Sequence, residues 1–523
     1  MKKRYVLSAL SLSLVILSLT SCVFLNHDRP ANIGDNFYFD NPKYSSDDSA
    51  AYMNKDYVAQ TVGQLYMPST GESSILVVPV QFSDEDYQFT SIELKTLENT
   101  FFGTSDQTGW ESVASFYEES SNGELQITGE VTNPISLNVT ASEFALRAST
   151  YTGGNYTDVL LSEIMEELAS EGMSFSQFDQ NNDHYIDAVW LVYSAPFDSD
   201  SDIFWAYTTW ALDEKSYSGY HVCPYSWASI DFLYEGNYGH SVTSGDAHTF
   251  IHETGHLLGL DDYYSYDADR ETNFDTPVGG VDMMDFNIGD HCSFSKYLLG
   301  WATPTVITSD YLSQHNNTVT LTSFEDTNEF LLLPVFSNGE IEYNDTPLDE
   351  YLLIEFYTPT GLNQKDSRQQ YANGLSTYSS PGVLVYHINA SIGRIYLKGL
   401  SQSLTWDGCV YDKLPPMNEI SDYEGYTYIF NNTRSYCYYQ MDDSESNFYR
   451  GRLISLLPAI GRKIEGNRTG FSSNACLYRE GDIFLLENGI YDNFVFDDGN
   501  KPQYGFEITD LDSESATLRF TSL

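Results

Sequence analysis

The stretch "TFIHETGHLLGLDDYYSYD", from Thr249 to Asp267, constrains this chain more than any other. Its two histidines, His252 and His256, are four residues apart, so on a helix both leave the same face and their imidazoles can meet one ion. Glu253 stands beside the first, placed to touch a water on that ion. Two ligands do not make a durable zinc site, and a third protein ligand is required. Gly259, three residues after His256, can end the helix with φ > 0 and turn the chain so that Asp262 points back toward the metal. A bare HExxH also occurs in core helices with two satisfied histidines. The glycine, the acidic third position and the export signal described below weigh against that reading here.

The full spacing is H-E-x-x-H-x-x-G-x-x-D, the extended metzincin pattern with aspartate in place of the third histidine. Downstream, "GGVDMMDFNIGDHCSFSKYLLGW" (Gly279 to Trp301) places Met283 and Met284 after two glycines. This looks like the Met-turn that forms an apolar floor under the zinc in metzincins. Either methionine alone would be read as core filling.

The chain has 523 residues, enough for about three units at roughly 100 to 200 residues per domain. Ahead of the histidine helix, strands alternate with helices. "ILVVPVQF" (Ile75 to Phe82) reads as a buried strand, and a helix follows with Ser91 as N-cap and Leu94, Leu97 and Phe101 on one face. A second helix spans Val113 to Glu119, then the strand Leu125 to Val131, a helix from Asp158 to Ala169 stopped by Gly172, and the strand Ile186 to Ser194. Such alternation indicates an α/β layer. From about Pro304 the pattern changes to short β-rich runs such as "TVTLTS", "FLLLPVF", "YLLIEFY" and "GVLVYHI", separated by Asn, Asp, Gly and Pro. These read as one or two β-sandwich units.

The first residues, "MKKRYVLSALSLSLVILSLTSC", combine a basic start, an apolar run and Leu19-Thr20-Ser21-Cys22. That is a secretory signal whose end resembles the lipobox of bacterial lipoproteins, with Cys22 carrying the lipid. The polar stretch over 23–70 then reads as a tether. Seventy-five acidic against twenty-five basic residues give a formal charge of −50, which argues against nucleic acid as a partner. Besides Cys22 there are Cys223, Cys292, Cys409, Cys437 and Cys476. Five is odd, their spacing matches no zinc ribbon, and pairing cannot be read from it.

One acidic loop stands apart. Asp179, Asn181, Asp183 and Asp187 occupy positions 1, 3, 5 and 9 of an EF-hand-like loop, with the Tyr185 carbonyl at position 7. His184 replaces the usual glycine and Trp190 the closing glutamate, so it is no EF-hand. On the residues alone, a calcium site completed from elsewhere and a solvated Asx-rich turn are equally good readings.

Five segments in order resemble the immune inhibitor A-like metallopeptidases of bacteria, metzincin-type zinc endopeptidases of peptidase family M6. They are "ILVVPVQFSD", "VASFYEESSNGELQITGEV", "FDQNNDHYIDAVWLVYS", "HETGHLLGLDDYY" and "GGVDMMDF…GDHCSFSKYLLGW", covering about Ile75 to Trp301, with looser likeness in "YLLIEFY" and "PGVLVYHIN". The chain departs from the family where Asp261 replaces a proline before the acidic ligand, which leaves either Asp261 or Asp262 to reach the zinc, Asp262 being favoured by register. It departs again at Cys292, which replaces the proline after His291.

The resemblance implies an α/β (α+β) metzincin-like catalytic domain over 71–303, followed by an all-β, sandwich-type C-terminal region over 304–523. It also tips the acidic loop toward calcium. The implied function is a lipid-anchored, extracellular zinc endopeptidase. His252, His256 and Asp262 would be ligands, Glu253 general base and then acid, and Tyr297 or His291 a second donor to the developing oxyanion. Tyr297, beside Leu298 and Leu299, also fits a core position. Two rival readings are a surface binding or adhesion protein on a silent peptidase scaffold, against which the intact Glu253 argues, and a hydrolase of a non-peptide bond.

Overall fold

The runs "ILVVPV" and "AVWLVY" are apolar at successive positions, which suits strands buried on both faces. They form β1 (Gly71–Gln81) and, further along, Ala188–Tyr193. Between them come α1 (Ser91–Phe102), α2 (Val113–Ser120), β2 (Leu125–Val131) and α3 (Tyr156–Ser170). Ala188–Tyr193 is β3, followed by β4 (Tyr207–Trp210), β5 (Pro224–Ser229) and α4 (His248–Leu257). The sheet order is β2-β1-β3-β5-β4, parallel except for the edge strand β4.

The computed structural model describes residues 67–390 apart from 85, 153–154, 199–202, 212–214, 235–243, 265–275, 344, 348 and 372–373. It then describes 449 and 452–523 apart from 463, 465–471 and 498. The leader with Cys22, nearly all of the expected tether, Cys409 and Cys437 lie outside the described residues. Cys223, Cys292 and Cys476 are buried.

Side chains alternate across this sheet. Leu76, Val78, Val80, Val189 and Leu191 meet Leu160, Leu161, Ile164, Met165 and Leu168 of α3 on one face. Ile75, Val77, Trp190 and Val192 meet Leu97 and Phe101 of α1, Phe116 of α2 and Phe250 and Ile251 of α4 on the other. The histidine helix is therefore one of the layers that covers the sheet.

Two local expectations change. The cap of α1 is Thr90 and not Ser91: Thr90 Oγ1 accepts the Glu93 N–H at 3.1 Å while Glu93 Oε2 accepts the Thr90 N–H at 2.8 Å, a reciprocal capping box. The run Ile186 to Ser194 is not one strand. Asp187 interrupts it, because its carboxylate accepts the Ser74 N–H at 2.8 Å. Tyr185–Ile186 then joins a small sheet with residues 216–222, and Ala188–Tyr193 joins the main one.

The C-terminal half holds two further sheets. β6 (Thr318–Thr322) belongs to the smaller one, and β7 (Phe330–Ser337), β8 (Glu350–Tyr357), β9 (Gly382–Asn389) and β10 (Ile454–Leu456) to the larger. β11 (Ile483–Phe484), β12 (Tyr504–Leu511) and β13 (Ser515–Ser522) complete the smaller sheet, in the order β6-β13-β12-β11. Leu331, Leu333, Leu352, Ile354 and Val385 of the larger sheet pack with Leu321, Phe506, Ile508 and Leu518 of the smaller, making one sandwich. The opposite face of the larger sheet, with Leu332, Leu353, Leu384 and Ile388, shares a core with Met283, Met284, Phe294 and Trp301 of the first half. The chain is thus a mixed α/β structure whose halves are joined through a common core.

Burial raises the carboxyls of Asp187, Asp282 and Asp366 to about 7 each, despite backbone N–H donors that favour the charged form. A carboxyl raised in the folded state binds protons on folding between its unfolded value, about 4, and its folded one. Stability should therefore fall as pH rises through that window. Melting in a strong chelator, so that metal loss plays no part, should give a Tm several degrees higher at pH 5 than at pH 7.5; an equal or lower value at pH 5 would contradict it.

Candidate metal centre

The histidine helix α4 ends where its sequence says it should. Gly259 adopts φ +99°, its N–H bonding to the His256 carbonyl at 3.0 Å while the Leu260 N–H reaches the Gly255 carbonyl at 2.9 Å. This paired closure is a Schellman turn, and its left-handed residue is free of Cβ strain only as glycine. The chain doubles back, and Asp262 Oδ1 arrives 3.0 Å from His252 Nε2 and 3.3 Å from His256 Nε2. Asp262 is almost fully buried, whereas Asp261 is only half-buried. His252, His256 and Asp262 form one of two groups among the described residues whose ligand atoms converge within 4.8 Å.

The other imidazole nitrogens explain why this geometry suits a cation. His252 Nδ1 lies 2.7 Å from the Met283 carbonyl oxygen, and His256 Nδ1 lies 2.7 Å from that of Leu260. A carbonyl can only accept, so each Nδ1 carries a hydrogen and each Nε2 is the ring atom that faces Asp262. Two Nε2 atoms facing a carboxylate at these distances need a proton or a cation between them. Ligands about 2.0–2.1 Å from a tetrahedral zinc are about 3.3 Å from one another, close to the spacing found. Burial alone would discharge these groups, but their mutual charge outweighs it. His256 is held up to about 10 beside Asp262, and Asp262 is held well below the usual carboxylate range.

Glu253 is 1% exposed. Burial raises its carboxyl above the ordinary value, with His256 and His252 opposing. The Thr208 hydroxyl, on edge strand β4, lies 2.9 Å from the Glu253 carbonyl oxygen and 3.1 Å from Oε2. Nothing in the spacing of "AYTTW" pointed to Thr208, because its partner is 45 residues away. His248, at the start of α4, was also not anticipated. It is stacked between Trp110 and Tyr371, with Nδ1 2.7 Å from Asp246 Oδ1 and Nε2 3.5 Å from Asp366 Oδ2.

The two methionines divide the work. The Met283 carbonyl orients His252, while the Met284 side chain lies directly beneath the helix at Gly255. A Cβ on Gly255 would stand 2.5 Å from Met284 Sδ. The glycine between Thr254 and His256 is thus the notch that admits this floor. The Met284 carbonyl accepts the Tyr263 N–H at 2.9 Å, tying the Asp262 segment to the same turn, and Asp282 caps it through the Met284 N–H at 2.7 Å.

The proposed second donors sit in other settings. The Tyr297 hydroxyl is hydrogen-bonded to that of Tyr343, and its ring packs near Phe330 and Tyr351, which are the contacts of a core tyrosine. His291 is buried among Phe116, Tyr117 and Trp301, and burial drops it to about 3, so it is neutral. The acidic loop is bonded inward. Asp179 Oδ1 and Oδ2 accept the N–H groups of Asp183 and His184, Asn181 Oδ1 also accepts from Asp183, and Asp183 Oδ1 accepts from Tyr185. Asp187 serves Ser74 and Gln180. The bonds from Asn181 and Asp183 to the backbone two residues on are Asx-turns, and the three aspartates are not among the converging groups.

No family model matches the chain, and no curated protein does. The chemistry of the centre therefore rests on its own geometry.

The Gly255–Met284 contact is open to a double-mutant cycle. Gly255→Ala should cost about 1–3 kcal/mol through overpacking, and adding Met284→Ala should recover part of that loss, so that the two changes are not additive. Strict additivity in denaturant melts would show that the sulfur does not fill the notch.

Proposed function

We propose that the chain is a zinc-dependent endopeptidase of metzincin type. The observation that carries this reading is the convergence of His252 and His256 Nε2 on Asp262 Oδ1, with each Nδ1 held by a backbone carbonyl and Glu253 alongside. His252, His256 and Asp262 would hold the metal. When bound, zinc supplies Lewis acidity, lowering the pKa of a water from about 15.7 toward 7 and polarising a scissile carbonyl.

The remaining work falls to the protein. Glu253 takes the proton of the attacking water and passes it to the leaving amine, and its raised carboxyl suits a group that must carry a proton in transit. Thr208 holds that side chain in one orientation. Met284 keeps the underside of the helix dry and packed. With each Nδ1–H held by a backbone carbonyl, each Nε2 is the atom aimed at the ion, and binding it would displace any proton held there.

The leader ending in "LTSC" supports export and a lipid anchor at Cys22, and so protein or peptide substrates outside the cell. No helix among the described residues is long and apolar enough to cross a membrane. The rival reading, a silent binding scaffold, keeps the fold without the reaction.

Glu253→Ala should retain zinc and its melting temperature while casein degradation falls at least about 100-fold, the scale of general-base catalysis; undiminished proteolysis would sink the mechanism. For the loop over 179–187, the resemblance favours calcium, so added millimolar calcium should raise Tm by several degrees and Asp183→Asn should abolish the rise; a Tm that does not respond would count against the calcium reading.

A further inference from the structure

A second group of side chains repeats the electrostatic problem of the first, far from it in the sequence. Glu350 opens β8 and His387 lies on β9. The pairings Glu350↔Asn389 and Leu352↔His387 put both residues on one face of the larger sheet. Asp497 comes from the segment between β11 and β12, and its ligand atom lies within 4.8 Å of those of Glu350 and His387. His387 is fully buried, Glu350 nearly so, and Asp497 partly.

The tautomer is again set by a carbonyl. His387 Nδ1 lies 3.1 Å from the Tyr449 carbonyl oxygen, so Nδ1 carries a hydrogen and Nε2 faces Glu350 Oε1 at 2.9 Å, with a proton or a cation needed between them. A proton between them would leave a buried imidazolium facing two carboxylates, one negative charge in excess. A divalent cation bound by one neutral imidazole and two carboxylates leaves none.

The surroundings hold these donors in place. The Asp497 N–H donates to Glu350 Oε1 at 2.7 Å, the Asn389 side-chain amide donates to Asp497 Oδ2 at 2.7 Å, and the rings of Tyr449, Phe494 and Phe496 enclose the imidazole. Oriented ligands inside an apolar collar are what a structural metal site requires.

We propose that Glu350, His387 and Asp497 form a second, structural site for a divalent transition metal, with zinc the best match to one nitrogen and two oxygen donors. A water or the Asn389 side-chain oxygen would complete the tetrahedron. The site has no reaction to perform. It staples the segment leading into the last two strands onto β8 and β9, and so closes the sandwich at the edge where chain ends are least held.

The test is zinc stoichiometry on the full chain, loaded with zinc and then desalted. Wild type should carry two ions, His252→Ala/His256→Ala one, and that variant with Asp497→Asn added none. Zinc should also raise the Tm of His252→Ala/His256→Ala by several degrees, and Glu350→Gln should remove that rise. A folded His252→Ala/His256→Ala chain that binds no zinc, or whose Tm does not respond to it, overturns the proposal. If that variant and wild type each carry one ion, the second site stands and it is the peptidase centre that fails.

Discussion

The turn at Gly259 is the constraint on which the rest of the candidate metal centre depends. One left-handed residue closes the helix, aims the Leu260 carbonyl at His256 Nδ1 and sends Asp262 back under both Nε2 atoms. A side chain at that φ would cost about 1–2 kcal/mol, but the larger loss would be positional. The same few residues supply a ligand and fix the tautomer of another. A small rotation of the turn would therefore disturb two of the three donors at once.

The other half of the centre is borrowed from further along the chain. The Met283 carbonyl can orient His252 only because Asp282 holds the turn through the Met284 and Cys292 N–H groups. The short helix that follows (Ser293–Leu298) is in turn anchored to the C-terminal half. Glu355 Oε2 accepts the Ser293 N–H at 2.8 Å, and buried Lys296 lies 2.5 Å from Asp290 and 3.0 Å from Asn328. A buried ion pair of this kind is costly to break, since either partner left alone is an uncompensated charge. The larger β-sheet is thus the wall that the Met-turn segment leans on.

Much of the fold was legible in the sequence because its cues are local. The 3.6-residue spacing of α3 and the unbroken apolar runs of β1 and β3 follow from how each element buries itself. What misled were residues whose partners are distant. Asp187 reads as part of a strand until the Ser74 amide is seen to engage it from 113 residues away. Tyr297, readable as a donor or as a core tyrosine, has the contacts of the second, with its hydroxyl bonded to that of Tyr343. Ser91 in place of Thr90 is a slip of one residue, as helix ends invite.

The sequence by itself determined the donor types, their spacing on one helix face and the need for a glycine to turn the chain, since all three depend only on helix periodicity and backbone sterics. It favoured Asp262 over Asp261 by register, and gave no sign of which methionine would fill the notch at Gly255. Tertiary structure brought Asp262 against both histidines and Met284 into the notch, together with the Thr208 contact and the gathering of Glu350, His387 and Asp497. The reason is physical. Hydrogen bonding and close packing are settled by atoms within about 3 Å, and the chain brings some of those atoms from far along it, the Met283 carbonyl from 31 residues away and the Thr208 hydroxyl from 45.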